Sequence, residues 1–287
     1  LAKLKQQNAE LQTNIKITEI PFFPIEPNPS KRILLVLVAA IMGFVLVVFT
    51  ILVLVLLDGN LNTAERAEDK IGLKVSSIFP AINSQIKGVD FKYLQHKAVT
   101  AISRRIILNQ FKNEATKMPV VNMFFSTQEA EGKTFISEQL IAKLCDLEYK
   151  VLHISYDESA FSSHPNYHYI PYAVGDYLYK IARIDEFFPA EATIDYTAFD
   201  FVLLELPSII KHPFPVKLAS AIDHSFLVVR ANRSWTEADR NALQLFKEAT
   251  TGPEPSIILN GVKVLEMESV LGELPKKRSR LRRWFKR

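Results

Sequence analysis

The sequence predicts an α/β protein, a mainly parallel sheet flanked by helices, preceded by one transmembrane helix. Three observations carry that reading. Residues 33–57 are an unbroken apolar run, with Gly43 and Thr50 as its mild interruptions. From Pro119 onward, short apolar strand-like runs alternate with segments of helical period, the pattern of βαβ units. One of those strands passes through a loop into Gly132-Lys133-Thr134 and then a helix, the order of elements that phosphate binding requires.

At helical rise the apolar run spans roughly 37 Å, against a hydrocarbon core of about 30 Å, so it crosses with some tilt. It is too long for the apolar region of a signal peptide. Lys16, Lys31 and Arg32 precede it and Arg66, Lys70 and Lys74 follow. The positive-inside comparison is therefore a tie. A nucleotide-type domain belongs in the cytoplasm, which places residues 58–287 there and the N-terminal end across the membrane.

Before the helix, Leu1, Leu4, Leu11 and Ile15 share a helical spacing within residues 1–18. This predicts the end of a longer helix or coiled coil. The chain starts at Leu1 and reads as the C-terminal part of a longer protein. Residues 19–32 hold Pro21, Pro24, Pro27 and Pro29; such proline spacing stops helices and favours an extended connector. Residues 58–117 read as a juxtamembrane cytoplasmic linker, with helices at 63–71 and 91–111 and a strand at 74–80. Residues 118–265 form the α/β domain, with strands at 120–126, 150–155, 201–205, 225–229 and 256–259. Its helices are expected at 135–147, 174–181 and 236–249. Residues 266–287 are a basic tail.

Net charge is +4 over 287 residues, which excludes a general nucleic-acid binder. The one cysteine, Cys145, cannot form an internal disulfide and suits a reducing compartment, as a buried small apolar residue. The tail concentrates Lys276, Lys277, Arg278, Arg280, Arg282, Arg283, Lys286 and Arg287 around Leu281, Trp284 and Phe285. Such a segment suits anionic membrane lipid, with Trp284 and Phe285 at the interface; a solvated tail is the plain alternative. His164 and His168 stand four apart across Pro165 and read as a polar loop rather than a metal site. Tyr167, Tyr169, Tyr172, Tyr177 and Tyr179 are acceptors for a phosphoryl group or, more plainly, packing residues.

The phosphate-loop pattern runs Thr127-Gln128-Glu129-Ala130-Glu131-Gly132-Lys133-Thr134. Backbone N–H groups at the helix start favour an anion. Lys133 is placed to reach the outer phosphates of ATP and Thr134 to hold Mg²⁺. Thr127 and Ala130 stand where glycine would relax the loop, and Glu129 brings a carboxylate close to the phosphates.

These residues together resemble the C-terminal portion of polysaccharide co-polymerases fused to a bacterial tyrosine kinase (BY-kinase) domain. Pro24-Ile25-Glu26-Pro27-Asn28-Pro29 resembles that family's proline motif. Ala67-Glu68-Asp69-Lys70-Ile71-Gly72-Leu73-Lys74-Val75 and Ile78-Phe79-Pro80 are similar to its juxtamembrane stretch. Val228-Val229-Arg230-Ala231-Asn232-Arg233-Ser234 and Ile258-Leu259-Asn260-Gly261-Val262 are similar to its late strands. The resemblance implies a P-loop NTPase-like fold, ATP and Mg²⁺ as ligands, control of exopolysaccharide or capsule chain length, and a place in the bacterial inner membrane with the N-terminal helix or coiled coil in the periplasm. It also implies a homo-oligomer and contact with the polysaccharide polymerase and export machinery.

The catalytic motifs depart from the family pattern. Val151-Leu152-His153-Ile154-Ser155-Tyr156-Asp157 keeps Asp157 but has Ser155 where the first acid belongs. Phe201-Val202-Leu203-Leu204-Glu205-Leu206-Pro207 offers Glu205, one methylene longer than the usual aspartate. Asp157 and Glu205 are thus the catalytic candidates, Thr134 and Asp157 the Mg²⁺ candidates, and Gly132, Lys133, Thr134 and Asn260 the nucleotide contacts. Mg²⁺ demands near-ideal octahedral geometry, so these departures predict impaired phosphoryl transfer. No Tyr follows Tyr196, although the family carries a C-terminal tyrosine cluster. The family's oligomerisation motif falls on Lys97, Thr100 and Ser103, none of which matches; Arg104 and Arg105 lie off its register. Two alternatives remain open: an active autokinase using Asp157 and Glu205, and a membrane-bound ATPase of the MinD type, in which Asn260 contacts the base.

Overall fold

The computed structural model describes residues 2–13, 30–57, 59–81, 90–112, 119–157, 164–189 and 194–267. The chain divides into two compact units, Leu1–Asp58 and Gly59–Arg287.

The first unit holds helices α1 (Ala2–Thr13) and α2 (Arg32–Leu57). Most of the proline-rich connector lies outside the described residues. Within α2, Arg32–Leu54 has mean hydropathy 3.1 and none of its most apolar window is buried by protein. It is long and apolar enough to cross a membrane. Thr50 returns its hydroxyl to the Leu46 carbonyl at 2.8 Å, so the one hydroxyl of the span is satisfied within the helix, as a lipid environment requires.

The second unit is built on seven strands: β1 (Val75–Pro80), β2 (Val120–Ser126), β3 (Val151–Ser155), β4 (Tyr167–Pro171), β5 (Phe201–Ser208), β6 (His224–Arg230) and β7 (Ser256–Val262). Their order is β1-β7-β6-β2-β5-β3-β4, and every pairing is parallel. The central strands are covered on both faces, which is why they read as continuous apolar runs rather than alternating ones. Met123 and Phe125 of β2 point into one core cluster and Val120 and Phe124 into the other. Helices α4 (Phe91–Lys112) and α5 (Lys133–Asp146) supply Ile102, Ile106, Leu140 and Leu144 to the second cluster. On the first face lie α3 (Ala64–Ile71), α6 (Val216–Ser220) and α7 (Glu237–Ala249), with Ala67, Leu218, Leu243 and Phe246 inward. Phe125 stacks on Phe246 with ring centroids 4.3 Å apart, joining β2 to α7 beneath the phosphate-type loop.

Local chemistry sets the helix ends. Thr63 caps α3 through the Arg66 N–H, and Gly72, at φ 75°, closes it in the left-handed conformation that glycine tolerates. Thr236 and Asp239 form a reciprocal capping box on α7.

Three segments differ from the sequence reading. Residues 164–168, expected as a polar loop, lead into edge strand β4, which pairs with β3 alone. Its exposed His168 beside half-buried Tyr167 and Tyr169 lacks the apolar continuity of a central strand. The helix expected at 174–181 is a 3₁₀ segment, Asp176–Lys180, with Leu178 and Ile181 buried; apolar side chains three apart suit its three-residue turn. The sheet also begins upstream of residue 118. β1 pairs with β7, and α4 packs under it, with Ser77 Oγ donating to the Ala98 carbonyl at 3.0 Å.

Candidate phosphate-binding site

Because the sheet is parallel, the carboxyl ends of β2, β3, β5, β6 and β7 share one edge, where ligands of open α/β sheets bind. β2 ends at Ser126 and α5 begins at Lys133. The loop between them turns through Ala130 at φ 56° and Gly132 at φ 93°. Gly132 is required twice over. Its φ is left-handed, and a Cβ there would stand 2.2 Å from Asn260 Nδ2. Ala130 adopts the left-handed conformation with a side chain, at a cost of about 1–2 kcal/mol. Unlike α3 and α7, α5 has no side-chain cap, so its first-turn N–H groups are the orphan donors of a helix start.

Lys133 is 4 % exposed. Its ammonium donates to Ser126 Oγ at 2.8 Å and lies 5.7 Å from the centroid of the Tyr156 ring. Burial holds its pKa below the usual lysine value, against the pull of Glu205, Glu131, Asp157 and Glu129.

Glu205, 0 % exposed, is the centre of an inward network. Thr134 Oγ1 donates to its Oε2 at 2.9 Å, His153 Nε2 contacts its Oε1 at 2.8 Å, and Ser137 Oγ also donates to Oε1. The other ring nitrogen of His153 meets the Tyr167 hydroxyl at 3.1 Å. Tyr172 donates its hydroxyl to the Glu205 carbonyl at 2.6 Å. Burial pushes the Glu205 carboxyl up, but the bonds from His153, Ser137 and Thr134 outweigh it and hold the group below the usual carboxylate range. β5 reaches this point through an irregularity: Phe124 pairs with Glu205, yet Ser126 pairs with Ser208. That extra residue accommodates Pro207, which has no N–H to give a ladder.

The outer arc of the loop is tied to the β6–α7 segment. Thr127 Oγ1 donates to Asp239 Oδ1 at 2.6 Å, and Arg233 donates to Thr127 Oγ1 and Asp239 Oδ2, each at 2.9 Å. Glu131 is ion-paired with Arg233 and accepts the Arg230 N–H. Asn260 Nδ2 donates to the Glu131 carbonyl at 2.9 Å. Glu129 is held by Lys211 at 2.7 Å and His212 at 3.7 Å.

The structure therefore brings Gly132, Lys133, Thr134, Glu205 and Asn260 together. Asp157 lies beyond β3, exposed, with its N–H on Ser155 Oγ at 3.2 Å. The tail residues Lys276, Lys277, Arg278, Arg280, Arg282, Arg283 and Trp284 lie outside the described residues. Sequence reading missed His153, Ser137, Arg233 and Asp239. His153 had a legible signal: a polar residue inside an apolar strand must find a partner when buried. The Thr236-x-x-Asp239 spacing was a capping signature, but nothing in it pointed to Thr127.

The residues fit a polyphosphate better than a metal. The loop supplies a buried ammonium and helix-start N–H groups. A hard cation needs several oxygens turned toward one point. Here Glu205 is engaged by three side chains, and a serine replaces the first acid of β3. Among the described residues, no group of three or more His, Cys, Asp or Glu gathers to hold a metal.

No family model matches the sequence, and no curated protein matches it. Solved structures do. The kinase domain of the Escherichia coli tyrosine kinase ETK superposes with TM-score 0.52 at 17 % identity, covering 70 % of this chain and 94 % of that one. The BceF tyrosine kinase domain matches with TM-score 0.47 at 15 % identity, covering 71 % of this chain and 99 % of its own. At such identity the likeness is one of fold: the sheet-bearing unit of this chain is folded like the kinase domain of ETK.

Proposed function

We propose that the chain is the membrane-anchored, kinase-like part of a bacterial inner-membrane polysaccharide co-polymerase. It regulates the chain length and export of an exopolysaccharide or capsule, and its domain does not transfer phosphoryl groups. The observation that carries the last point is the commitment of Glu205 to Thr134, Ser137 and His153. Phosphoryl transfer relies almost entirely on a positioned metal and base. A carboxylate with 0 % exposure and three inward donors serves neither role.

The proline motif, the span of α2 and the tyrosine-kinase-type fold support the pathway. In this reading α1 is periplasmic, residues 58–287 are cytoplasmic, and the basic tail lies on anionic lipid. The chain self-associates and works beside the polymerase and export machinery. Nucleotide, where it binds, is a structural ligand. Among the tyrosines at 167–179, Tyr172 is buried with its hydroxyl on the Glu205 carbonyl and Tyr167 faces His153, so neither supports an autokinase, whereas Tyr177 and Tyr179 are exposed.

The test is incubation of the purified full chain with Mg-ATP, followed by phosphotyrosine detection and intact mass. The expected result is no phosphotyrosine above the Lys133→Ala control. Robust phosphotyrosine that disappears in Lys133→Ala overturns the proposal.

A further inference from the structure

We propose that the loop at 126–134 binds the polyphosphate of a nucleotide without a divalent cation. This rests on the reading of the unit as a P-loop domain that no longer transfers phosphate. In a metal-dependent site, one cation offsets two sets of negative charge, the phosphates and the acids that face them. Here the acids are offset by the protein itself.

Glu205 is turned into the sheet, where Thr134, Ser137 and His153 occupy its oxygens. Glu131 is drawn back by the Arg230 N–H and the Arg233 guanidinium. Glu129 is paired with Lys211. Asp157, exposed just beyond β3, is among the described residues the one acid acting on Lys133 that these clamps do not include.

The cradle itself needs no metal. Lys133 is 4 % exposed and its ammonium rests on a neutral hydroxyl, Ser126 Oγ. A phosphate oxygen is a stronger, charge-assisted acceptor for the same donor. The uncapped start of α5 adds N–H groups and the positive end of the helix dipole. Ser208, paired in register with Ser126, carries a buried hydroxyl with no hydrogen-bond partner, a further donor at the strand end that bears the loop. Thr127, Gln128 and Glu131 are fixed to Asp239, Arg233 and Asn260. The loop is therefore held in shape before a ligand arrives, and the metal is not needed to organise it.

The experiment is calorimetry on the detergent-solubilised full chain, with ADP and with ATP, once in EDTA and once in excess Mg²⁺. The expected result is binding in EDTA that equals or exceeds binding in Mg²⁺, any weakening staying under about threefold, and that is lost in Lys133→Ala. Should that variant fail to fold, displacement of ADP by inorganic pyrophosphate in EDTA replaces it; pyrophosphate that does not compete counts against the proposal. Binding that appears only with Mg²⁺, or no binding in either buffer, overturns it. Neither of those results touches the absence of phosphoryl transfer, which phosphotyrosine reads separately.

Discussion

At the scale of single residues, the Glu205–His153 pair governs the site. Both side chains are 0 % exposed and 2.8 Å apart. Removing His153 takes one donor from a buried carboxylate that keeps Thr134 and Ser137, so His153→Ala should lower unfolding free energy by about 1–3 kcal/mol, measured by urea unfolding followed by circular dichroism. The pH dependence has a definite sign. Glu205 has a folded pKa below its unfolded value. Its contribution is present above about pH 4.3 and is lost as pH falls through the folded value. Asp239 behaves alike: burial raises it, but the bonds from Thr127, Thr236 and Arg233 bring it down to about 2. Acid unfolding should therefore begin at higher pH in His153→Ala than in the parent chain, as read by an acid titration of the circular dichroism signal. Gly132→Ala should destabilise by about 1–2 kcal/mol and weaken ADP binding, because the new Cβ meets Asn260. Gly132, Lys133 and Thr134 were legible in the sequence because a P-loop needs them consecutively at one strand–helix junction. Arg233 was not, and of His153 only its need for a partner was, because their partners lie 106 and 52 residues away and only the parallel sheet brings them near.

At the scale of elements, caps and periodicity explain what could be read. The boundaries of α3 and α7 follow from Thr63, Gly72 and Thr236, each of which does chemistry at a helix end. Central strands were legible as apolar runs. Edge strand β4 was not: one neighbour and partial burial leave its residues free to be polar, and its histidine and tyrosines resemble a loop. The 3₁₀ segment at Asp176–Lys180 was misread as a helix because three- and four-residue periods coincide over so short a stretch. Two substitutions separate capping from clamping. Thr236→Ala removes a cap and should cost about 1 kcal/mol. Asp239→Ala also removes one of the two carboxylates that hold the Arg233 guanidinium, 20 % exposed on its side chain, and takes away the acceptor of the Thr127 hydroxyl. It should cost about 1–3 kcal/mol and weaken ADP binding, whereas Thr236→Ala leaves ADP affinity nearly unchanged. Equal effects of the two on affinity would refute the clamp.

At the scale of the whole molecule, a membrane-length helix and a P-loop unit share one chain. The helix was legible from composition alone, since lipid imposes an apolar run that few soluble folds need. Leu46→Arg at its middle should raise insertion cost by about 2.5–3.5 kcal/mol, seen as protein extracted by alkaline carbonate from membranes that retain the parent chain. The pairing of that helix with a unit folded like a tyrosine kinase domain supports the proposed pathway, and the inward commitment of Glu205 supports the proposed loss of catalysis. The central claim is that this acid serves the sheet and not a metal. It is tested most directly by electron paramagnetic resonance of Mn²⁺, an oxygen-preferring stand-in for Mg²⁺, titrated into the full chain with and without ADP. The account predicts that the Mn²⁺ bound is what ADP alone would hold, with no further site and no change in Glu205→Ala. A protein-bound Mn²⁺ signal that vanishes in Glu205→Ala would contradict it.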